Sequence, residues 1–187
     1  MNTLIIDTSH TCLVTGVAID SKLVAYKQEN VGKRQSEYLI TFVSEVLEKA
    51  NLQSSDIDEV VVTNGPGSYT GMRIGLTFVK TWSLVNTEMK IYTVDTLLSL
   101  AGMKDGFSFI DARSKRVFGA YIEKGNVKDE RVYTLDELET INQPLFGDLS
   151  LVGKETEYGN ICSQILEVRD MWNIVENPDL LVPNYLK

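Results

Sequence analysis

Residues Thr3–Lys22 read TLIIDTSHTCLVTGVAIDSK, and Phe107–Gly125 read FSFIDARSKRVFGAYIEKG. Each begins with an apolar run that ends in Ile-Asp. Each then passes through a short polar turn into a second run carrying Gly-x-Ala or Gly-Ala. The landmarks pair Asp7 with Asp111 and Gly16 with Gly119. A third strand-like run follows each: KLVAYKQE after the Asp20-Ser21 turn, and a run near Val127–Tyr133. Self-similarity of this kind marks a repeated supersecondary unit. Two related lobes are therefore expected, residues 1–104 and 105–187, with the second truncated.

Between the repeats the period changes. Tyr38, Leu39, Phe42, Val43, Val46 and Leu47 recur at spacings of three and four, which predicts a helix over 36–50. Residues 58–63 read as a strand. Residues 72–85 read as a second helix, with Ile74, Phe78, Val79, Trp82 and Val85 as its apolar set. Residues 90–94 read as a strand and 95–103 as a short helix. In the second lobe, Leu135–Glu139, Leu149–Val152 and Glu157–Val168 read as helix, strand and helix. Crossover helices imply parallel pairing, and the opening hairpin implies antiparallel pairing. The expected class is α/β, with mixed sheets covered by helices.

Composition narrows the function. Of 187 residues, 43% are hydrophobic and 24% charged, as in a folded globular chain. The net charge of −8 argues against unaided nucleic-acid binding, which depends on Lys and Arg neutralising phosphates. It argues equally against an anionic membrane surface. Cys12 and Cys162 lack ligand-like spacing and read as reduced core thiols. His10 is the only histidine, so a His-based metal site or a Ser-His-Asp triad has almost no material, and no metal site is expected. The N-terminal MNTLIIDTS has neither a basic region nor a long apolar run, so no signal peptide is expected and a cytoplasmic location is the default.

The stretch TNGPGSYTGMRIG, Thr63–Gly75, looks at first like a phosphate cradle. A P-loop requires G-x-x-x-x-G-K-[ST], whose lysine reaches the phosphates. Here Gly65 and Gly71 are one residue too far apart, and Met72 and Arg73 follow Gly71. A dinucleotide fingerprint also fails, because Pro66 has no N–H to donate and the loop follows the fourth strand. Gly65, Pro66 and Gly67 instead read as a sharp turn. Ser68 or Thr70 is the expected helix cap, and Gly75 allows close helix packing.

Asp7, followed by Thr8 and Ser9, and Asp111, followed by Ala112 and Arg113, end equivalent strands. Two such turns facing each other form an interlobe cleft able to orient Mg²⁺ and a polyphosphate. The alternative is that each Asp hydrogen-bonds its own turn. Asp56, Asp58 and Glu59 read as a solvated loop, and Lys128–Arg131, KDER, as a surface charge run. The two long helices carry more apolar surface than one sheet face needs. Either a neighbouring subunit covers the excess, or the helices cover each other.

The Ile-Asp-Thr hairpin, GPGSYTGMRIG after the fourth strand, IDAR opening the second lobe and VPNYLK at Val182–Lys187 together resemble the TsaB (YeaZ) family. Within the glycine motif, Gly65, Pro66, Gly67, Ser68, Thr70, Gly71 and Arg73 match, while Tyr69 stands where the family often has Phe. Gln35 lies near where many members carry His. The resemblance implies the actin-like, Hsp70-like, sugar-kinase-like two-lobe (ASKHA, ribonuclease-H-like) fold. It implies a role in placing threonylcarbamoyladenosine beside the anticodon of tRNAs. It implies a non-catalytic subunit paired with the transferase TsaD, joined by the ATPase TsaE; the surplus apolar helix face is the expected seat of a homodimer when the chain is alone. TsaD-type proteins carry a metal-binding H-x-x-x-H where this chain has Thr96 and Leu100. ATP or ADP with Mg²⁺ is the cofactor such a cleft would take. The expected partner surface comprises Tyr38, Phe42, Val46, Met72, Gly75, Val79 and Trp82. The rival expectation is an autonomous ATP-dependent phosphotransferase using Asp7 and Asp111.

Overall fold

In the computed structural model, which describes residues 1–186, strand β1 (Asn2–Asp7) is the axis of the first sheet. Leu4, Ile5 and Ile6 are each fully buried, because helices cover both faces of that sheet. β2 (Cys12–Ile19) pairs with β1 antiparallel, and β3 (Lys22–Asn30) continues the meander. β4 (Glu59–Thr63) and β5 (Lys90–Val94) extend the other side in parallel. With β10 (Asn173–Ile174) the order is β10-β5-β4-β1-β2-β3. The central 3-2-1-4-5 order, with β2 reversed, is that of the expected fold class.

Period-two alternation divides the core. Leu4, Ile6, Val60 and Val62 meet α1 (Gln35–Lys49) and α2 (Tyr69–Ser83) on one face. Ile5, Val14 and Val61 meet α3 (Thr96–Ala101) and α5 (Ile161–Glu167) on the other. The second sheet repeats the plan in miniature. β6 (Gly106–Arg113), β7 (Arg116–Glu123) and β8 (Asn126–Thr134) form an antiparallel meander. β9 (Leu145–Gly147) lies parallel to β6 as β4 lies parallel to β1. Phe107, Phe109, Val117 and Tyr133 fill its core with Leu138 of α4 (Leu135–Glu139).

Several expectations are corrected. Leu149–Val152 is a 3-10 turn, not a strand; the strand is the preceding Leu145–Gly147. A short apolar run has no periodicity that separates the two, and only pairing with β6 decides. The helix expected over 157–168 begins at Ile161, where Asn160 caps it by accepting the Ser163 N–H at 3.0 Å. α2 begins at Tyr69, a turn earlier than expected, because Ser68 accepts the Gly71 N–H at 3.2 Å. Glu59 is not solvated: it opens β4 and is buried. Residues from 173 onward, expected in the second lobe, return to the first sheet as β10, and Leu181 enters its core. Lys187, last of the VPNYLK motif, lies outside the described residues. Among those described, no helix is long and apolar enough to cross a membrane.

Candidate functional site

The turns after β1 and β6 face each other across a cleft of about 490 Å³. Ser9, His10, Lys33, Gln35, Ser68 and Thr70 line it from the first lobe, and Asp111, Arg113 and Asp148 from the second.

Asp7 lies behind that wall, with no exposed surface. Its Oδ1 accepts the Ser9 N–H at 2.8 Å, the Ser9 hydroxyl at 2.5 Å and the Thr63 hydroxyl at 2.8 Å. Its Oδ2 lies 3.1 Å from Nε2 of His10. Burial pushes the Asp7 carboxyl up, but His10 and Ser9 outweigh it and hold the carboxyl below the usual range. Burial likewise opposes protonation of His10, and Asp7 beside it raises its proton affinity above that of an ordinary imidazole. His10 Nδ1 accepts the Cys12 N–H at 3.3 Å, so this geometry holds the Nε2–H tautomer, which donates to Asp7. The Thr8 hydroxyl donates to the Gly71 carbonyl at 2.7 Å. All three polar side chains of the expected phosphate turn are thus spent inside the first lobe. Asp7 does not fit as a ligand for Mg²⁺ and nucleotide.

Asp111 is exposed at the cleft but turned to its own hairpin, where Oδ1 accepts the Arg113 N–H at 2.7 Å. Asp148 accepts the Asp111 N–H at 2.7 Å and the Tyr158 hydroxyl. The Tyr158 ring lies 4.9 Å from that of His10. This chain of contacts joins the lobes beside the cleft. Asp148 and Tyr158 carried no signal in the sequence, since each sits alone among loop residues. Gln35 did carry one, as a departure from the family pattern. It is buried and donates to the carbonyls of His10 at 2.7 Å and Gly32 at 2.9 Å, fixing the turn to α1. Burial pushes the Cys12 thiol up to about 12, and Cys162 moves the same way, so both are inert core groups.

The glycine loop serves close approach. Gly67 and Gly71 abut the backbone carbonyls of Ser9 and Thr8, leaving no room for a Cβ. The Gly65–Pro66 peptide bond is cis. Tyr69 is exposed, stacks on Tyr185 at 5.1 Å and receives a hydrogen bond from Arg73 at 2.8 Å.

The expected partner surface is corrected in part. Phe42, Val46, Met72, Gly75 and Val79 face inward and are buried in the chain's own core. They lie on the helical stripe that meets the sheet, so the apolar period located the core rather than the interface. Tyr38, Ile74, Phe78 and Trp82 are half-buried, each packed in part against that core, and Ile40 beside them is exposed. Leu84 and Val85 are exposed at the end of α2.

A separate acidic contact joins the lobes where β5 enters α3. Asp95 caps α3, accepting the Leu98 N–H at 2.9 Å. β8 breaks register between Gly119 and Tyr121 of its partner strand, and Glu130 of that irregular segment meets Asp95. Burial first, and then the Glu130 carboxylate, push the Asp95 carboxyl well above the usual range. A carboxyl raised on folding contributes stability that is full below its unfolded value of about 3.9. That stability is lost as pH rises through the folded value. Asp95→Asn keeps an equivalent cap and removes the repulsion. It is expected to stabilise the protein at pH 7 by about 1 kcal/mol and to flatten the decline in stability between acid and neutral pH. Melting curves at several pH values check this; an unchanged slope refutes it.

A family model described as "TsaD: tRNA N6-adenosine threonylcarbamoyltransferase" matches residues 24–165. The tRNA threonylcarbamoyladenosine biosynthesis protein TsaB of Bacillus subtilis (strain 168) is 31% identical over 153 residues, spanning 76% of this chain and 67% of that one. Its Escherichia coli (strain K12) namesake is 24% identical over 151 residues, spanning 77% and 63%. The solved structure of YeaZ from Pseudomonas aeruginosa has a TM-score of 0.75 over 99% of both chains at 17% identity, which shows a shared fold.

Proposed function

This chain belongs to the TsaB (YeaZ) family, and from that premise we propose that it is a cytoplasmic, non-catalytic subunit that pairs with a TsaD-type transferase in forming threonylcarbamoyladenosine on tRNA. TsaE joins them as the ATPase of the complex. The observation that carries the reading is the partly exposed apolar strip on α1 and α2. Ile40 is 66% exposed, and Tyr38, Ile74, Phe78 and Trp82 lie half-buried beside it. Such a strip on a soluble chain is a site of association. The same strip is the seat of a homodimer when the partner is absent.

The non-catalytic role is supported by the site itself. Thr96 and Leu100, which stand in place of a metal-binding His pair, are buried in α3. The rival reading, autonomous phosphotransfer, needs a carboxylate aimed into the cleft from the first turn, and Asp7 is committed elsewhere.

Ile40→Glu combined with Thr77→Arg places charge on exposed positions of both helices. The pair is expected to weaken TsaD binding by about thirtyfold, the loss of one interface hot spot, with the melting temperature unchanged. Isothermal titration against purified TsaD checks it. Unaltered affinity, or no binding by the native chain, sinks the proposal. ATP turnover by the isolated chain that is lost in Asp7→Ala would establish the rival.

A further inference from the structure

We propose that the mouth of the interlobe cleft docks the phosphodiester backbone of RNA. Lys33 and Arg34 act from the first lobe, and Arg113, Lys115 and Arg116 from the second. The proposal rests on the tRNA-modification reading above and adds a direct RNA contact by this subunit. Net charge alone argued the other way, but charge is not spread evenly over this surface.

Lys33 and Arg113 line the same cleft. Arg34 follows Lys33, and Arg116 pairs with Arg113 across the β6–β7 hairpin whose tip holds Lys115. All five residues are exposed. None belongs to an ion pair among the described residues, where the paired cations are Met1, His10, Lys27, Lys128, Arg131 and Arg169. Arg34 is positioned by Tyr38, donating to its hydroxyl at 3.0 Å and lying 4.9 Å over its ring.

The hairpin tip is costly to build. Arg113, Ser114 and Lys115 have φ of +65°, +54° and +59°, a left-handed run without glycine or asparagine. Each such residue costs about 1 kcal/mol. Glycine would relieve the strain but would carry no cation, and strain of this kind collects where a surface is used.

The carboxylates of the cleft keep their charge and offset part of the rim, but the five cations outnumber Asp111 and Asp148. Asp111 accepts its own hairpin's Arg113 N–H, and Asp148 accepts the Asp111 N–H and the Tyr158 hydroxyl. Glu37 in the first turn of α1 and Asp136 in α4 bound the patch. His10 and Asp148 line the cleft, while its cations stand exposed on elements of both lobes. That arrangement suits a chain of repeated phosphates, each of which releases a counterion where it meets a cation.

The test is fluorescence anisotropy of end-labelled tRNA over a salt series. It is run on the isolated chain and on the chain mixed with its TsaD-type partner. Arg113→Ala/Lys115→Ala/Arg116→Ala is expected to weaken binding about tenfold or more at low salt. It should reduce the slope of log affinity against log salt by about 2–3. Lys33→Ala/Arg34→Ala, on the other lobe, should reduce it by about 1–2. Lys49→Ala/Lys104→Ala/Lys124→Ala removes the same charge away from the rim and should change neither quantity. Circular dichroism confirms that each variant is folded. Wild-type slopes in both rim variants, equal losses in the control, or no RNA binding by either form overturns the proposal. Displacement of RNA by millimolar ATP from the isolated chain also overturns it, by assigning the cations to a mononucleotide. Light scattering reports assembly separately. A failure to assemble counts against the partner reading, while the isolated chain still decides the rim.

Discussion

Glu59→Ala is expected to lower the free energy of unfolding by about 3–5 kcal/mol, the scale of breaking a buried ion pair from one side. Glu59 opens β4 with its side chain 1% exposed. Its Oε1 lies 2.7 Å from Arg169 Nη2, and its Oε2 accepts from the same nitrogen at 2.9 Å. The Thr3 hydroxyl of β1 donates to Oε1 at 2.6 Å. Arg169 leads the 3-10 turn after α5, and its guanidinium lies 4.7 Å over the Trp172 ring. Removal of the carboxylate strands that guanidinium and leaves a buried hydroxyl without its acceptor. Arg169 is 28% exposed and recovers some hydration, which favours the lower end of the range. Glu59→Leu with Arg169→Met, which removes both charges together, should recover most of the loss. Urea unfolding with an unchanged m-value measures both variants. A loss below about 1 kcal/mol would mean that the pair behaves as an exposed one.

Gly71→Ala is expected to cost about 3 kcal/mol and to lower the melting temperature by about 10 °C. A Cβ on Gly71 would overlap the carbonyl oxygen of Thr8 and lie 3.2 Å from the Ser68 Cβ. Neither neighbour can yield. Thr8 is pinned by its own hydroxyl on the Gly71 carbonyl at 2.7 Å and by the Asp7 turn on either side. Ser68 is pinned as the cap of α2, and its N–H donates to the Ser9 carbonyl at 2.6 Å. Any shift of α2 therefore drags β1 with it. Thr70→Ala, at an exposed position one residue earlier, should stay within about 0.5 kcal/mol. Thermal melts of the two variants side by side isolate the steric effect. A Gly71→Ala protein that melts with the wild type would remove close approach as the reason for this glycine.

Much of the fold was legible before any coordinates. The matched hairpins around Asp7 and Asp111, the helix through Tyr38–Leu47 and the strands at 58–63 and 90–94 are written in local periodicity. Periodicity is set by which side chains one face of an element buries. The glycine stretch was legible as well, because its spacing, its proline and the missing lysine argue against a P-loop from local chemistry.

The candidate site was legible only in outline. Asp7 was marked as important, but its four donors come from Ser9, His10 and Thr63, and Thr63 lies on another strand. The rank of apolar residues on α1 and α2 showed how much they bury. It did not show that Phe42, Val46 and Val79 are buried against the sheet while Ile40 is exposed and Phe78 only half-buried. Leu145–Gly147 is too short to carry a period, and only its register beside β6 makes it a strand.

The sequence by itself therefore determined the two-lobed α/β plan, the family and the absence of a P-loop, because these rest on residue order and local sterics. Tertiary structure alone decided the fate of the charges. Glu59 is drawn inside by Arg169, from the far end of the chain, and Asp95 is set against Glu130. Lys33 and Arg113 meet at one cleft from two segments distant in sequence. The cost or use of a charge depends on its burial and on partners brought near by folding, and neither is a property of its neighbours in the chain.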